Sequence, residues 1–289
     1  MTPPPLPTTG RPAKPLPDGA WDCHAHVFGP FDRFPLDPAC RYTPPLATAD
    51  DHRAMLDAAG FANGMLVHAS ACGYDNRATL DAVARSNGRI GAIGVVSPEI
   101  DDDTLAAMKR GGMRGLRFTK AGPRTSDDPW PGVLDLPDFA VLAPRLREHG
   151  LTAHVFAPCA ALVGMADQFR STAIPIVFDH MGQPDVAAGT EDPTFRSFVA
   201  MVGDGPFAVK LTPGRLSTAF PDYDDVRPFH DALIEAVADR LIFGSDWPFL
   251  GQMARAPDVA AMVDLFDRWT PDESIRRAVF VDTPTAFFA

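Results

Sequence analysis

Residues 174–180 read IPIVFDH: five apolar residues, too few for a helix, that end abruptly in an acid and a histidine. A strand with one wet face alternates apolar and polar residues, whereas a strand covered on both faces is apolar throughout. The stretch therefore reads as one strand of a parallel sheet with polar residues gathered at its C-terminal end. Seven further stretches repeat the pattern: AWDCHAHV (20–27), GMLVHAS (64–70), IGAIGVVS (90–97), MRGLRFT (113–119), LTAHVFA (151–157), PFAVKLT (206–212) and RLIFGSD (240–246). Between them lie amphipathic segments such as TADDHRAMLDAAG (48–60), NRATLDAVARSNG (76–88), DDDTLAAMKRGG (101–112) and DFAVLAPRLREHG (138–150). Several open on Asp, Thr or Asn and close on Gly, the residues that cap helices. Eight β–α units in about 270 residues are the size of a (β/α)8 TIM barrel. A doubly wound open sheet is the alternative, but no Gly-rich phosphate loop follows the first strand. No repeat or linker divides the body, so the expectation is an arm over residues 1–18 followed by a single α/β barrel over 19–289.

The arm, MTPPPLPTTGRPAKPLP, holds seven prolines and is expected to be extended, either disordered or laid along the body. Hydrophobic residues make up 46% of the 289, enough for a large core. A net charge of -11 speaks against nucleic acid and against an anionic membrane surface as partners. No apolar run approaches the roughly 20 residues of a membrane span. The start lacks the apolar region of a secretory signal. Cys23, Cys40, Cys72 and Cys159 show neither a disulfide pattern nor paired-ligand spacing. These features together point to a reduced, cytoplasmic protein.

In a barrel of this kind chemistry sits at the C-terminal ends of the strands. His24 and His26 lie two apart late in the first candidate strand and would face the same side of it. Such a pair suits either holding a metal or gripping one substrate group. His180 closes the sixth strand, and Asp246 follows the eighth, which barrel closure makes the neighbour of the first.

DCHAHVFGP in the first strand, FDHMGQPD in the sixth and GSDWP in the eighth, with RYTPP, HASACGYDN and GGMRGLRF between, resemble the amidohydrolase superfamily. Within it the chain is similar to the 2-pyrone-4,6-dicarboxylate lactonase branch from about residue 19 to the C-terminus. The resemblance implies hydrolysis, reversible in that branch, of a cyclic ester without a metal. Water attacking a lactone carbonyl needs a base and needs donors for the developing oxyanion. Asp246 fits the base, and His24, His26 and His180 fit the donors. A single zinc held by two of these histidines, Asp246 and either His180 or His154 is the minority reading. No lysine is placed to bridge two metals, because Lys210 falls on the seventh strand.

Arg117 ends the fourth strand, Lys120 and Arg124 follow it, and Arg215 follows the seventh. Guanidinium forks pair with carboxylates in two parallel hydrogen bonds. The resemblance assigns substrate contacts to Arg117 and Arg215, with Tyr42 and Ser70 beside them. Either Lys120 or Arg124 supplies a further cation, and Arg124 is the one expected to reach the ligand. The chain departs from the branch at Phe249, where a histidine is usual, and at His154 and Phe156, where the fifth strand usually offers a tyrosine. Phe249 is accordingly expected to present an apolar edge to the substrate. His154, set too early in its strand to reach the mouth, is expected in the core or lining the substrate. Trp130 is expected to pin its loop, and His52, His149 and His230 to face solvent from helices. The expected ligand is thus a small anionic lactone of aromatic catabolism. A sugar-acid lactone to be hydrolysed or isomerised, a zinc-dependent decarboxylation or amide hydrolysis, and a binding protein without chemistry are the alternatives the sequence leaves open.

Overall fold

The computed structural model describes residues 6–120, 132–252 and 257–288. Eight parallel strands follow one another in chain order: β1 (Trp21–Ala25), β2 (Asn63–Val67), β3 (Ile90–Gly94), β4 (Met113–Thr119), β5 (Thr152–Phe156), β6 (Ile176–Phe178), β7 (Phe207–Leu211) and β8 (Leu241–Phe243). Helices alternate with them, which makes the fold a (β/α)8 barrel. The local reasons are those legible in the sequence. The helix Ala49–Ala59, for instance, starts at Thr48, which forms a reciprocal capping box with Asp51, and stops at Gly60 in the left-handed region at φ 88°.

Closure happens at the level of the candidate site. Beyond β8, the Asp246 N–H donates to the His24 carbonyl at 2.8 Å, and the His26 N–H donates to the Trp247 carbonyl at 2.8 Å. Ala25 pairs in parallel with Trp247. The chain segment that carries Asp246 is therefore fixed by backbone bonds to the one that carries the two histidines.

The simple two-residue alternation of β1 is broken once. Asp22 pairs with Gly64, yet Ala25 pairs with Leu66, so β1 carries one extra residue between them. Within this interval, Cys23 packs inside the barrel with Met65, Val67, Val177, Ala208 and Ile242. Past it, Ala25 joins the outer core under the helices, while the imidazole of His24 is turned inward to the β7 side chain of Lys210. A bulge re-aims side chains in this way without disturbing the rest of the ladder.

The bottom of the barrel is plugged by Phe288, from the C-terminal helix Thr283–Phe288. His154, fully buried, stacks on Phe288 with ring centroids 5.7 Å apart, so of its two expected places it occupies the core. Described residues of the arm lie along the body. The Gly10 N–H donates to Asp258 at 2.8 Å, the Ala13 N–H to Asp264 at 2.8 Å, and Arg276 donates to the Pro15 carbonyl at 3.1 Å.

Two helical histidines depart from expectation. His52 is buried against Trp247, at 5.8 Å between rings, and His230 is buried with Nε2 2.7 Å from the Thr270 hydroxyl. Burial lowers their pKa values to about 3 and about 4, so both rings are neutral core groups.

Candidate active site at the C-terminal mouth

A cavity of about 610 Å³ opens at the C-terminal ends of the strands, and His26, His180, Asp246, Arg117, Arg215 and Phe156 line it. Tyr42 and Ser70 also reach its wall. Its size is that of a small-molecule pocket. The remaining site residues expected from sequence are placed differently. His24 is fully buried and lies outside the cavity lining, beneath Asp246. Lys120 is exposed and also outside the lining. Arg124 and Trp130 lie outside the described residues.

Beneath the cavity floor is a charge cluster that the sequence reading missed. Lys210, fully buried on β7, places Nζ 2.9 Å from Asp179 Oδ1 and 3.1 Å from His24 Nδ1. Arg117 Nε–H donates to Asp179 Oδ2 at 3.0 Å. Burial alone would raise the Asp179 pKa, but Lys210 and then Arg117 hold its carboxyl well below the usual range. Burial pushes the Lys210 pKa down, opposed by the Asp179 charge. Burial, seconded by the Lys210 charge, lowers the His24 pKa well below its ordinary value, so His24 is neutral.

These contacts bear on which nitrogen carries hydrogen. An ammonium only donates, so His24 Nδ1 accepts from Lys210 and the neutral ring carries its hydrogen on Nε2, 3.5 Å from Asp246 Oδ1. The Val67 carbonyl only accepts, so His26 Nδ1–H donates to it at 2.7 Å, which leaves Nε2 at 3.3 Å from the same Asp246 oxygen. His180 Nδ1 is 2.7 Å from the Thr212 hydroxyl. Burial lowers the His180 pKa to about 3, and the ring is neutral. Burial works to raise the Asp246 pKa, yet the close contact with His26 and the neighbouring His180, His24 and Arg215 hold it well below the carboxylate range.

The arrangement can be tested against a metal ion. His24, His26 and Asp246 bring three donor atoms within 4.8 Å of one another. His26 is bonded as a ligand would be, with one ring N–H on a carbonyl and the other nitrogen turned to the acid. His24 is not, because its Nε2 lone pair is taken by hydrogen. The second grouping, His24, Asp179 and His180, has its acid already engaged by Lys210 and Arg117. As hydrogen-bonded, these residues do not fit a metal.

On the substrate side, the guanidinium carbons of Arg117 and Arg215 stand 5.1 and 6.0 Å from the Phe156 ring centroid. Arg215 is anchored by donating to the Leu250 carbonyl at 2.7 Å. The Tyr42 hydroxyl accepts from the Ala71 N–H at 3.2 Å, and burial raises its pKa, which keeps the proton available for donation. Phe249 departs from expectation. Left-handed backbone at Asp246 (φ 60°) and Phe249 (φ 63°) turns this ring into the outer core, and Leu250 and Gly251 face the cavity instead. His68, at the end of β2, was also missed. It lines the cavity and donates from Nε2 to the Gly73 carbonyl at 2.8 Å.

Asp22 staples the site from outside. Its carboxylate accepts from the Ser245 N–H (2.8 Å), the Ser245 hydroxyl (2.6 Å) and the His24 N–H (3.2 Å). Burial outweighs these bonds and raises its pKa from 3.8 to about 6. The folded state thus binds the proton more tightly than the unfolded chain, and this contribution to stability is full below 3.8 and lost as pH rises through about 6. Asp22→Asn should abolish it. In denaturant melts at pH 5 and 7.5, the wild type should lose roughly 1 kcal/mol more than the variant between the two pH values. Equal pH dependence in both proteins would assign the titration elsewhere.

The fold and site together define a barrel enzyme whose histidines and strand-end aspartate form one cluster at the catalytic mouth. Residues 21–289 match the amidohydrolase family model, and the chain belongs to that family. It is 36% identical over 279 residues to a 4-sulfomuconolactone hydrolase of Rhizobium radiobacter, covering 94% of this chain and 91% of that one. It is 31% identical over 291 residues to a 2-pyrone-4,6-dicarboxylate hydrolase of Comamonas testosteroni, covering 96% and 93%. A solved Pseudomonas putida structure, provisionally named a 2-pyrone-4,6-dicarboxylic acid hydrolase, superposes with a TM-score of 0.79 at 28% identity, over 94% of this chain and 98% of that one.

Proposed function

We propose that the protein hydrolyses the ring ester of a lactone bearing at least one acidic substituent, without a metal ion. The observation that carries this reading is the convergence, on one cavity wall, of Asp246, His26 and His180 with the guanidinium groups of Arg117 and Arg215. The relatives named above act on lactones with sulfonate or carboxylate groups, which supports the same class here.

In this mechanism Asp246 takes a proton from water as the water oxygen bonds to the lactone carbonyl carbon. His180 faces the developing oxyanion, with Thr212 donating to its Nδ1 so that its Nε2–H is turned outward, while His26, whose hydrogen is on Nδ1, stands beside Asp246 as an acceptor for the attacking water. The carbonyl re-forms, the ring C–O bond breaks, and the proton held by Asp246 passes to the leaving oxygen. An acid held so far below its usual pKa is a weak base. Pairing of the substrate anion with Arg215 weakens one of the smaller influences that depress Asp246 and raises its basicity part of the way in the complex. Four free cysteines, Cys23, Cys40, Cys72 and Cys159, suit a reducing cytoplasm, and an acidic lactone suits the opening of rings in aromatic catabolism.

The test is turnover of a lactone panel before and after exhaustive chelation. Hydrolysis of acidic lactones should survive chelator unchanged and gain nothing from added Zn²⁺. Activity that vanishes with chelator and returns with stoichiometric zinc would show that a metal polarises the carbonyl.

A further inference from the structure

Lys210 is the one lysine of the described residues that is fully buried, and the proposed reaction gives it no step. We propose that it is a positioning residue. By donating to His24 Nδ1 it holds the ring hydrogen on Nε2, toward Asp246, and so withholds the lone pair that would complete a metal site with His26 and Asp246. The proposal rests on the metal-free reading above and explains how this chain enforces it.

Two groups compete for one nitrogen. Nδ1 of His24 lies 3.1 Å from the Lys210 ammonium and 3.5 Å from Asp179 Oδ1. The ammonium is the nearer and can only donate. It also occupies Asp179 Oδ1 at 2.9 Å, while Arg117 occupies Oδ2. With the ammonium in place, Asp179 is engaged and Nδ1 is an acceptor. With it removed, Asp179 Oδ1 loses its ion-pair cation, and the nearest hydrogen it can draw is one on Nδ1. The ring then exchanges tautomers. Nε2, which has no hydrogen-bond partner and no solvent contact in the present structure, would present a lone pair beside His26 Nε2 and Asp246. A carboxylate bonded behind a ligating histidine is the arrangement that braces metal sites. The chain thus contains the parts of such a site, and one side chain on β7 sets them the other way.

The experiment records long-range 1H–15N spectra of metal-free, 15N-histidine-labelled wild type, Lys210→Met and Lys210→Arg, with His24 assigned by its loss in His24→Asn. Wild type and Lys210→Arg, both of which can donate, should show Nε2–H at His24, and Lys210→Met should show Nδ1–H. Titration with Co²⁺, followed by its d–d absorption, should give Lys210→Met about 10- to 100-fold tighter binding than wild type, the span a second-shell partner contributes. A purely structural salt-bridge role for Lys210 would leave the tautomer unmoved. Nδ1–H in the wild type overturns the proposal and needs no variant to fold. Lys210→Met with unchanged tautomer also overturns it, and a reversed tautomer with unchanged Co²⁺ affinity overturns its metal-excluding half. Chelator-sensitive lactone turnover would fail the functional reading separately, because the spectra are recorded without metal or substrate.

Discussion

Asp246→Asn is expected to abolish lactone hydrolysis while leaving the barrel folded. The substitution is almost isosteric, and its backbone suits the position. Asp246 sits at φ 60°, in the left-handed region where asparagine is among the best-tolerated residues with a side chain. Alanine there would confuse strain with chemistry. The amide cannot take the proton from water, and it also presents a neutral group to His24 Nε2 and His26 Nε2, which stand 3.5 and 3.3 Å from Oδ1. Loss of general-base help alone amounts to about 10²- to 10⁴-fold. Since the histidine cluster beside it is disturbed as well, kcat should fall by more than about 10⁴-fold. Circular dichroism and thermal melting of the variant should match the wild type. A variant that keeps wild-type kcat would remove Asp246 from the reaction.

The barrel was legible because its strands are buried on both faces and therefore apolar without alternation. The strand-end rule then placed Asp246, His26 and His180 at one mouth, and the same rule, applied to GMLVHAS, would have found His68. His24 was the harder case. Its pairing with His26 followed from alternation, but the β1 bulge is set by how two strands pair, which a single sequence does not print. Lys210 carried a signal that was not used. A cation inside the apolar strand FAVKL must be paired when buried, although its partners Asp179 and His24 come from other strands. The buried His52 was legible too, for it shares a helix face with Met55, Leu56 and Ala59, three, four and seven residues on. His230 likewise shares a face with Leu233 and Val237. Phe249 was not legible, because its direction depends on left-handed backbone at two non-glycine residues.

Arg117→Ala and Arg215→Ala are each expected to reduce kcat/KM for an acidic lactone by about tenfold to over a hundredfold. The range follows from the roughly 1.5–3 kcal/mol of a hydrogen bond to a charged group. The two losses should differ in kind. Arg215 is held by the Leu250 carbonyl and, among the described residues, forms no ion pair with a buried acid, so its removal should act mainly through substrate binding and the basicity of Asp246. Arg117 has a second duty at Asp179. Its loss leaves that acid to Lys210 alone and should also lower thermal stability, which Arg215→Ala should not. Arg117→Lys should recover only part of the activity, because one ammonium cannot bond Asp179 through Nε and still offer a planar fork to the cavity. The decisive comparison is kcat/KM for a carboxylated lactone against its neutral methyl ester, in wild type and both alanine variants. Wild type should favour the acid, and each substitution should shrink that preference. If the ester is turned over as well as the acid and neither arginine matters, the cations do not read substrate charge. The cavity would then be that of an enzyme for neutral sugar lactones.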